Sequence, residues 1–239
     1  MTISSQSDLA AMQRVGQLVA RTIAHMRAAV RPGLTTAQLD DIGARFARSQ
    51  GARSAPQLAY DFPGFNCLSV NEEIVHGIPG ARVLREGDVV KLDVTLELDG
   101  YMADSAVTVI IPPVSPEARQ LQRAARVAFN SGVAVARAGQ SLREVGRAVE
   151  SAAKREGAVV VRELTGHGIG RRIHEPPTVP NWGDPDARTR PVVDDDALMD
   201  QLLGNGLSGG DVNDDGTSSV AVVKRRVEPE PCRLRPLDQ

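Results

Sequence analysis

Two aspartates, Asp93 and Asp104, lie on either side of Asp99-Gly100, a dipeptide typical of a two-residue β-hairpin turn. With that turn, Asp93 pairs with Ala106. Asp104 then pairs with Thr95, and both carboxylates point to one face, diagonal to each other. Moving the loop back by one residue places them directly opposite, again on one face. Two partly buried carboxylates repel each other unless a cation or a proton lies between them. The pattern indicates a cation site, although spacing alone favours a simpler interpretation: one aspartate faces solvent and the other caps a turn.

Three of the four histidines could complete such a site, because they lie in glycine-containing segments. His76 precedes Gly77, His167 has a glycine on each side, and His174 follows shortly after. Glycine lets the backbone approach closely or take unusual angles, and a neutral imidazole can join two carboxylates as a metal ligand. A single histidine is more often a packed or exposed side chain, and His25, in the first predicted helix, is interpreted in that way.

The elements that must position these residues follow from apolar spacing and from turn and cap residues. Helices are predicted from Ser7 or Asp8 to Pro32-Gly33 and from Thr35, with Gln38 at capping-box spacing, to Gly51. The other elements are strands over 66–70, 73–76, 88–98 and 101–111, helices over 117–137 and 141–156, and a strand over 158–162. The order helix, helix, strands occurs twice. We therefore predict an α+β fold of two duplicated halves, with the strands joined in one sheet under four helices.

Composition excludes several classes of function. The formal net charge is −2, so no whole-chain field draws the protein onto nucleic acid or an anionic membrane. The two cysteines make no disulfide framework or metal finger. The first residues lack the pattern of a signal peptide, and no apolar run has the length of a bilayer span. These features predict a soluble cytoplasmic protein that binds neither nucleic acid nor membrane.

The composition changes near Arg190. Beyond it the chain is rich in Gly, Asp, Asn and Ser, and only Val220 to Val223 has the character of a short strand. Such composition favours loop or disorder. We predict a catalytic domain over 1–190 and a divergent, poorly ordered tail over 191–239.

Several motifs together resemble those of the type I methionine aminopeptidases. In chain order they are Ser69-Val70-Asn71-Glu72-Glu73-Ile74-Val75-His76-Gly77-Ile78-Pro79, Lys91-Leu92-Asp93-Val94, Gly100-Tyr101-Met102-Ala103-Asp104, Gly166-His167-Gly168-Ile169-Gly170 and His174-Glu175-Pro176-Pro177. The resemblance runs from about residue 8 to Arg190. It implies the "pita-bread" fold of duplicated α+β halves. It also implies an enzyme that removes the N-terminal methionine from nascent proteins in the cytoplasm.

The resemblance implies a metal centre and two assisting histidines. Asp93, Asp104 and His167 would be ligands of two divalent ions (Co, Mn, Fe or Zn), with Asp104 bridging them. Metal-activated water would attack the peptide carbonyl. His174 would hydrogen-bond the oxyanion or the scissile carbonyl, and His76 the substrate near the scissile amide.

The family's methionine pocket is implied to be lined by Phe62, Cys67 and Ile173, a small apolar slot that suits an unbranched thioether. Tyr60 is expected nearby. The implied partners are peptides with an N-terminal methionine and, transiently, the ribosome, and the expected state is a monomer.

Two glutamate ligands of the family have no counterpart at the expected places. Where the first is expected, the chain reads Ala197 to Gln201 without a glutamate. Glu228 lies too late for the first position and lacks the flanking pattern of the second. We hypothesise a reading-frame shift or divergent splice after Arg190. The three remaining ligands imply a weak cluster, one ion or none, and loss of general acid–base help typically costs ~10²–10⁴ in rate.

Two alternatives to methionine removal follow. An inactive pita-bread protein would bind peptides without cutting them, an interpretation that the missing glutamates favour. A proline-specific aminopeptidase or creatinase-like relative would share the fold, but such relatives usually carry an extra N-terminal domain. The His76-Gly77-Ile78-Pro79 motif also favours methionine removal over this second alternative.

Overall fold

The computed structural model describes residues 4–137, 139–187 and 222–224. Its elements, in chain order, are α1 (Gln6–Ala29), α2 (Thr36–Ser49), β1 (Arg53–Ser54), α3 (Ala55–Tyr60), β2 (Cys67–Val70), β3 (Val89–Leu98), β4 (Tyr101–Ile110), α4 (Pro116–Val135), α5 (Leu142–Arg155), β5 (Ala158–Val160), β6 (Gly166–Gly168), β7 (Glu175–Val179) and β8 (Val222–Lys224). A helix pair followed by strands occurs twice, which confirms the predicted order of the two halves.

Capping boxes start the first two helices. Thr35 caps α2, and the Gln38 side chain accepts from the Thr35 backbone amide, as predicted. The start of α1 was predicted wrongly: the cap is Ser5 rather than Ser7 or Asp8. Asp8 lies at the third helical position instead, where its carboxylate accepts from the Ser5 amide while the Ser5 hydroxyl accepts from the Asp8 amide.

The longest strands, β3 and β4, form the predicted hairpin. Its turn is Asp99-Gly100, and both residues have left-handed backbones, with φ values of 54° and 83°. This two-residue loop fixes the pairing of the whole hairpin, from Val89 with Ile110 to Leu98 with Tyr101. β3 also pairs antiparallel with β2 and with β1, which completes a four-stranded sheet.

The main core lies between this sheet and the first two helices. Val15, Val19 and Met26 of α1 pack in one cluster with Leu39 of α2 and Leu92 of β3, and none of these side chains is more than 1% exposed. The sheet that carries the candidate acids is therefore held rigidly from one side, because a close-packed interior resists displacement.

The second half has a smaller core. Helices α4 and α5 pack through small residues, since Ala128, Ala152 and Ala153 share a cluster with Val149. Strand β5 pairs with β8, and β6 pairs with β7. Strand β8 overlaps the strand predicted at Val220 to Val223.

Two predictions about strands were wrong. The strands within the described ranges form three sheets rather than one. Strand β6 carries an irregularity at His167/Gly168, and the adjoining loop meets the β3–β4 hairpin through a hydrogen bond from the Met102 amide to the Gly170 carbonyl. Residues 73–76 form no strand. The chain turns just before them, where Asn71 has a φ of 57° and the Glu73 amide donates to the Val70 carbonyl, and His76 at their end has a φ of 56°.

Most of the divergent segment predicted over 191–239 and the boundary at Arg190 lie outside the described residues. The positions of the missing glutamates, around Ala197 to Gln201 and at Glu228, also lie outside them.

Candidate active site

The β3–β4 hairpin aims both predicted acids at one face of the sheet. Asp93 pairs with Ala106, and Asp104 pairs with Thr95. Side chains alternate along a strand, so Asp104 and Ala106 share a face and the carboxylate of Asp93 lies diagonal to that of Asp104. This is the register that the Asp99-Gly100 turn predicts.

Asp93 lies in an environment that disfavours its charge. Loss of hydration and then the charge of Asp104 raise its pKa to about 7, against the opposing charges of Lys91 and His167. A carboxyl group in this state needs a proton or a nearby positive charge at neutral pH. The site therefore has the electrostatic character of a cation-binding centre.

The ring of His167 is oriented towards Asp104. Its Nδ1–H donates to the Gly168 carbonyl over 3.0 Å, because a carbonyl oxygen can only accept. The other ring nitrogen, Nε2, lies 3.5 Å from Oδ2 of Asp104. The hydrogen bond with Asp104 raises the pKa of His167, and burial opposes that rise.

A glycine allows the strand of His167 to approach its neighbour. A Cβ on Gly168 would lie 2.6 Å from the Pro176 carbonyl oxygen and 2.7 Å from that of Glu175. Neither distance is tolerated, so only glycine permits this pairing of β6 with β7. This close approach explains why a glycine follows His167 in the sequence.

His174 packs edge-on against His167, with ring centroids 4.3 Å apart. Its Nδ1 hydrogen-bonds the hydroxyl of Tyr60, so Tyr60 lies beside His174. Burial lowers the pKa of His174, and the charge of His167 lowers it further. A neutral imidazole whose second ring nitrogen has no hydrogen-bond partner among the described residues thus lies directly beside the ring that faces Asp104.

His76 enters the same region from the irregular segment after β2. Burial lowers the pKa of His76, as does the charge of Lys91. The charge of His76 in turn affects the pKa of His174, so the two rings lie within electrostatic reach of each other. The ammonium of Lys91 holds the segment in place by donating to the Ile74 carbonyl.

The three residues predicted to line an apolar pocket are all buried, with Phe62 8%, Cys67 7% and Ile173 6% exposed. Cys67 pairs with Asp93 across β2 and β3. Its thiol is free and forms no disulfide. Burial is the largest cause that raises the pKa of this thiol, and the charge of Asp93 is the next. Ile173 directly precedes His174. Cys67 and Ile173 are thus placed beside the acids and the histidines, respectively.

The donor set fits a divalent cation in its chemistry. Two carboxylates and one imidazole are ligands that such ions accept in proteins, and the Nε2 of His167 faces Asp104. Within residues 4–137, 139–187 and 222–224, no group of three or more His, Cys, Asp or Glu side chains already stands in metal-binding geometry. The hairpin thus brings the acids to one face, and His167 reaches one of them.

Two supporting groups were missed by sequence reasoning. Lys91 lies two residues before Asp93, on the same face of β3, and this spacing was the available signal. Arg171 lies in the loop between β6 and β7 and donates to both Asp8 and Tyr101. Those partners are far from Arg171 in the chain, so no local pattern indicates the contact.

None of the helices in the described part of the chain has both the length and the apolar character needed to cross a membrane.

The chain is similar to known proteins in sequence and in fold. The sequence profile of metallopeptidase family M24 matches residues 10–198. Methionine aminopeptidase 2 of Bacillus subtilis is 37% identical over 187 residues, which cover 77% of this chain and 75% of that protein.

Two solved structures are similar in fold. The methionine aminopeptidase of Rickettsia prowazekii has a TM-score of 0.76 at 34% identity, covering 80% of this chain and 77% of that one. That of Thermotoga maritima has a TM-score of 0.77 at 28% identity, covering 80% and 78%. The pita-bread fold expected from the sequence is therefore confirmed. The chain belongs to metallopeptidase family M24, among its methionine aminopeptidases.

Proposed function

We propose that this chain hydrolyses the first peptide bond of peptides and new proteins that begin with methionine, releasing the methionine. The relatives at 36–37% identity bear the name of that activity. The observation that carries the proposal is the shared face of Asp93 and Asp104, with His167 Nε2 3.5 Å from Asp104. This reaction is favoured over peptide binding without cleavage and over proline-specific cleavage.

In this proposal Asp93, Asp104 and His167 would hold the divalent metal on which the family depends. When bound, the metal supplies Lewis-acid activation of water and of the scissile carbonyl. The chemistry of this chain's residues supports that assignment. The carboxylates compensate positive charge. His167 donates from Nδ1 to the Gly168 carbonyl, so Nε2, which faces Asp104, is the ring nitrogen that a metal ion would take in place of the hydrogen bond with Asp104.

The two other histidines of the site, His76 and His174, act on the substrate. His174, with Nδ1 already hydrogen-bonded, presents Nε2 to the carbonyl whose oxygen gains charge during attack. His76 binds near the scissile amide. The lowered pKa of each histidine keeps the ring neutral at physiological pH, so each can donate one hydrogen bond without carrying charge.

The methionine side chain is proposed to enter the apolar slot lined by Phe62, Cys67 and Ile173. All three are buried, and apolar burial favours an unbranched thioether over a polar side chain. The raised pKa of Cys67 keeps its thiol neutral, so it lines the slot as a small apolar group.

The metal content follows from the ligands. The family's two additional glutamates are expected in segments outside the described residues, where the sequence has none at the usual places. We propose that the centre binds Co, Mn, Fe or Zn weakly, as one ion or as a labile pair, and that activity depends on added metal.

The setting of the reaction follows from the proposed substrate. New proteins expose their first residue as they leave the ribosome, so the enzyme is proposed to act in the cytoplasm, as a monomer with transient ribosome contact. The formal charge of −2 agrees with the absence of lasting binding to nucleic acid or membrane.

A direct assay tests the proposal. The purified full chain is incubated with a Met-Ala-Ser peptide and Mn²⁺ or Co²⁺, and free methionine is measured. We expect release that falls by ~10²-fold or more in Asp104→Asn. Asp41→Asn should match the wild type, because Asp41 is 53% exposed on α2.

An Ala-Pro-Ser peptide should not be cleaved. A folded wild-type chain that releases no methionine contradicts the proposal and supports a peptide-binding protein, whereas preferred cleavage of Ala-Pro supports a proline-specific enzyme.

A further inference from the structure

Tyr60 is the last residue of α3, and the chain around it is firmly held. The Ser54 hydroxyl caps α3 by accepting from the Gln57 amide and donates to the Phe65 carbonyl. Asp61 then reverses the chain with a left-handed backbone, at φ of 51°. The side chain of Tyr60 is 47% exposed, so burial of its ring does not explain its position.

The hydroxyl of Tyr60 lies 2.5 Å from Nδ1 of His174. The two ring centroids are 5.8 Å apart and the planes are tilted by 43°, so the contact is a hydrogen bond to the ring edge rather than a stack. His174 also packs edge-on against His167. The ring of His174 thus has two contacts, one with Tyr60 and one with His167.

This hydrogen bond has a preferred direction. A phenol is a better donor than acceptor, and the bare nitrogen of a neutral imidazole is a better acceptor than a phenol oxygen. The Tyr60 hydroxyl therefore donates to His174 Nδ1. A neutral imidazole carries a single proton, so that proton is on Nε2, the nitrogen left free for the substrate.

We propose that Tyr60 is a positioning residue that holds His174 in the tautomer with its proton on Nε2, so that Nε2–H faces the substrate carbonyl. Its catalytic consequence rests on the proposed function. With the proton on Nδ1, His174 would present a lone pair to the carbonyl oxygen and repel it. Tyr60 does not touch the reacting atoms and acts through the orientation and tautomer of His174.

The first test is spectroscopic and needs no activity. Histidine labelled with ¹⁵N is introduced into the chelator-treated full chain, and signals are assigned with His174→Gln. At neutral pH, the wild type should show Nδ1 of His174 unprotonated and Nε2 protonated. In Tyr60→Phe, the two ¹⁵N shifts should move towards each other as both tautomers become populated. Leu58→Ala is the matched control, because Leu58 is a 49% exposed residue of the same helix.

The second test is kinetic. With Met-Ala-Ser and Mn²⁺, Tyr60→Phe should lower kcat about tenfold, the scale typical of losing a residue that orients a functional histidine. KM should change little, because Tyr60→Phe keeps the aromatic ring at position 60 beside the site. Leu58→Ala should keep both constants.

The outcomes separate this inference from the proposed function. A wild-type His174 with its proton on Nδ1 overturns the inference, and so do unchanged ¹⁵N shifts in Tyr60→Phe. The wild-type spectrum alone decides the tautomer, so the test does not depend on how well the variant folds. If the shifts follow the expectation but the wild-type chain releases no methionine, the proposed function fails while the assignment of the tautomer stands.

Discussion

Gly77 allows the segment that carries His76 to pack closely against β2, because glycine has no side chain. A Cβ on Gly77 would lie 2.2 Å from the backbone oxygen of Leu68, an impossible approach. The close fit allows the Leu68 amide to donate to the Gly77 carbonyl and the Gly77 amide to donate to the Ser69 hydroxyl. The segment that carries His76 is thus fastened along β2 by backbone contacts.

Gly77→Ala should therefore lower the free energy of unfolding by about 1–3 kcal/mol, the usual cost of overpacking a buried site. The matched control is Gly16→Ala in α1, where nothing lies within 4 Å of the added carbon. That variant should gain about 0.5–1 kcal/mol, because alanine favours a helix more than glycine does. Urea unfolding followed by circular dichroism measures both. Equal effects of the two substitutions would contradict the structural role of Gly77.

For single residues, the sequence predicts a contact when the partner is close in the chain or when a turn fixes the pairing. The pairing of Asp93 with Ala106 and of Asp104 with Thr95 follows from the turn dipeptide alone, and the structure has that register. The contact of Lys91 with the Ile74 carbonyl was not predicted, because it depends on the path of an irregular segment that the sequence pattern favoured as a strand.

Between elements, one polar cluster joins three parts of the fold. The carboxylate of Asp8, at the start of α1, accepts from the hydroxyl of Tyr101 on β4 at 2.6 Å and from Arg171 in the β6–β7 loop at 3.3 Å. Arg171 also donates to the Tyr101 oxygen at 2.6 Å, and its guanidinium lies 4.3 Å from the Tyr101 ring centroid. The loop between His167 and His174 is thereby tied to the hairpin that carries the acids.

The cluster makes stability depend on pH through Asp8. The hydrogen bond from Tyr101, and then those from Ser4 and Ser5, hold the pKa of Asp8 well below its usual range. A carboxyl group with a lower pKa in the folded state than in the unfolded state stabilises the fold fully at pH values above its unfolded pKa, about 3.9. That stabilisation is lost as the pH falls towards the pKa of the folded state. The stabilisation is thus complete at neutral pH and declines in acid.

Asp8→Asn should consequently lower Tm at pH 7, and the difference from the wild type should shrink steadily below about pH 4. Thermal unfolding at a series of pH values measures this. The control is Asp41→Asn, which removes an exposed acid of α2 whose only partner in the described structure is Arg45 on the same helix. A Tm difference between Asp8→Asn and wild type that stays constant down to pH 2 would contradict the proposed linkage.

Element boundaries show where sequence reasoning succeeds and where it stops. The cap at Thr35 was predicted because cap chemistry is local. The short helix α3 and strands β6 and β7 were missed, because few residues carry each signal. Their positions depend instead on contacts with segments far away in the chain, such as that between Tyr60 and His174.

In the whole molecule, the two halves of the fold contribute different residues to the candidate site. The first half contributes the large core, the hairpin with both acids and His76. The second half contributes His167 and His174 on a small bulged hairpin. A site shared between the halves exists only when both are folded against each other, so a metal bound at the proposed site would report on the assembly of the two halves.

The most direct measurement is Mn²⁺ binding to the purified full chain, followed by the electron paramagnetic resonance signal of the free ion. Saturable binding by the wild type is expected, and Asp93→Asn, Asp104→Asn and His167→Gln should each raise Kd by about tenfold or more, while Asp41→Asn leaves it unchanged. If the wild type shows no saturable binding, or if the three variants bind Mn²⁺ as the wild type does, the hairpin acids and His167 do not form a metal centre.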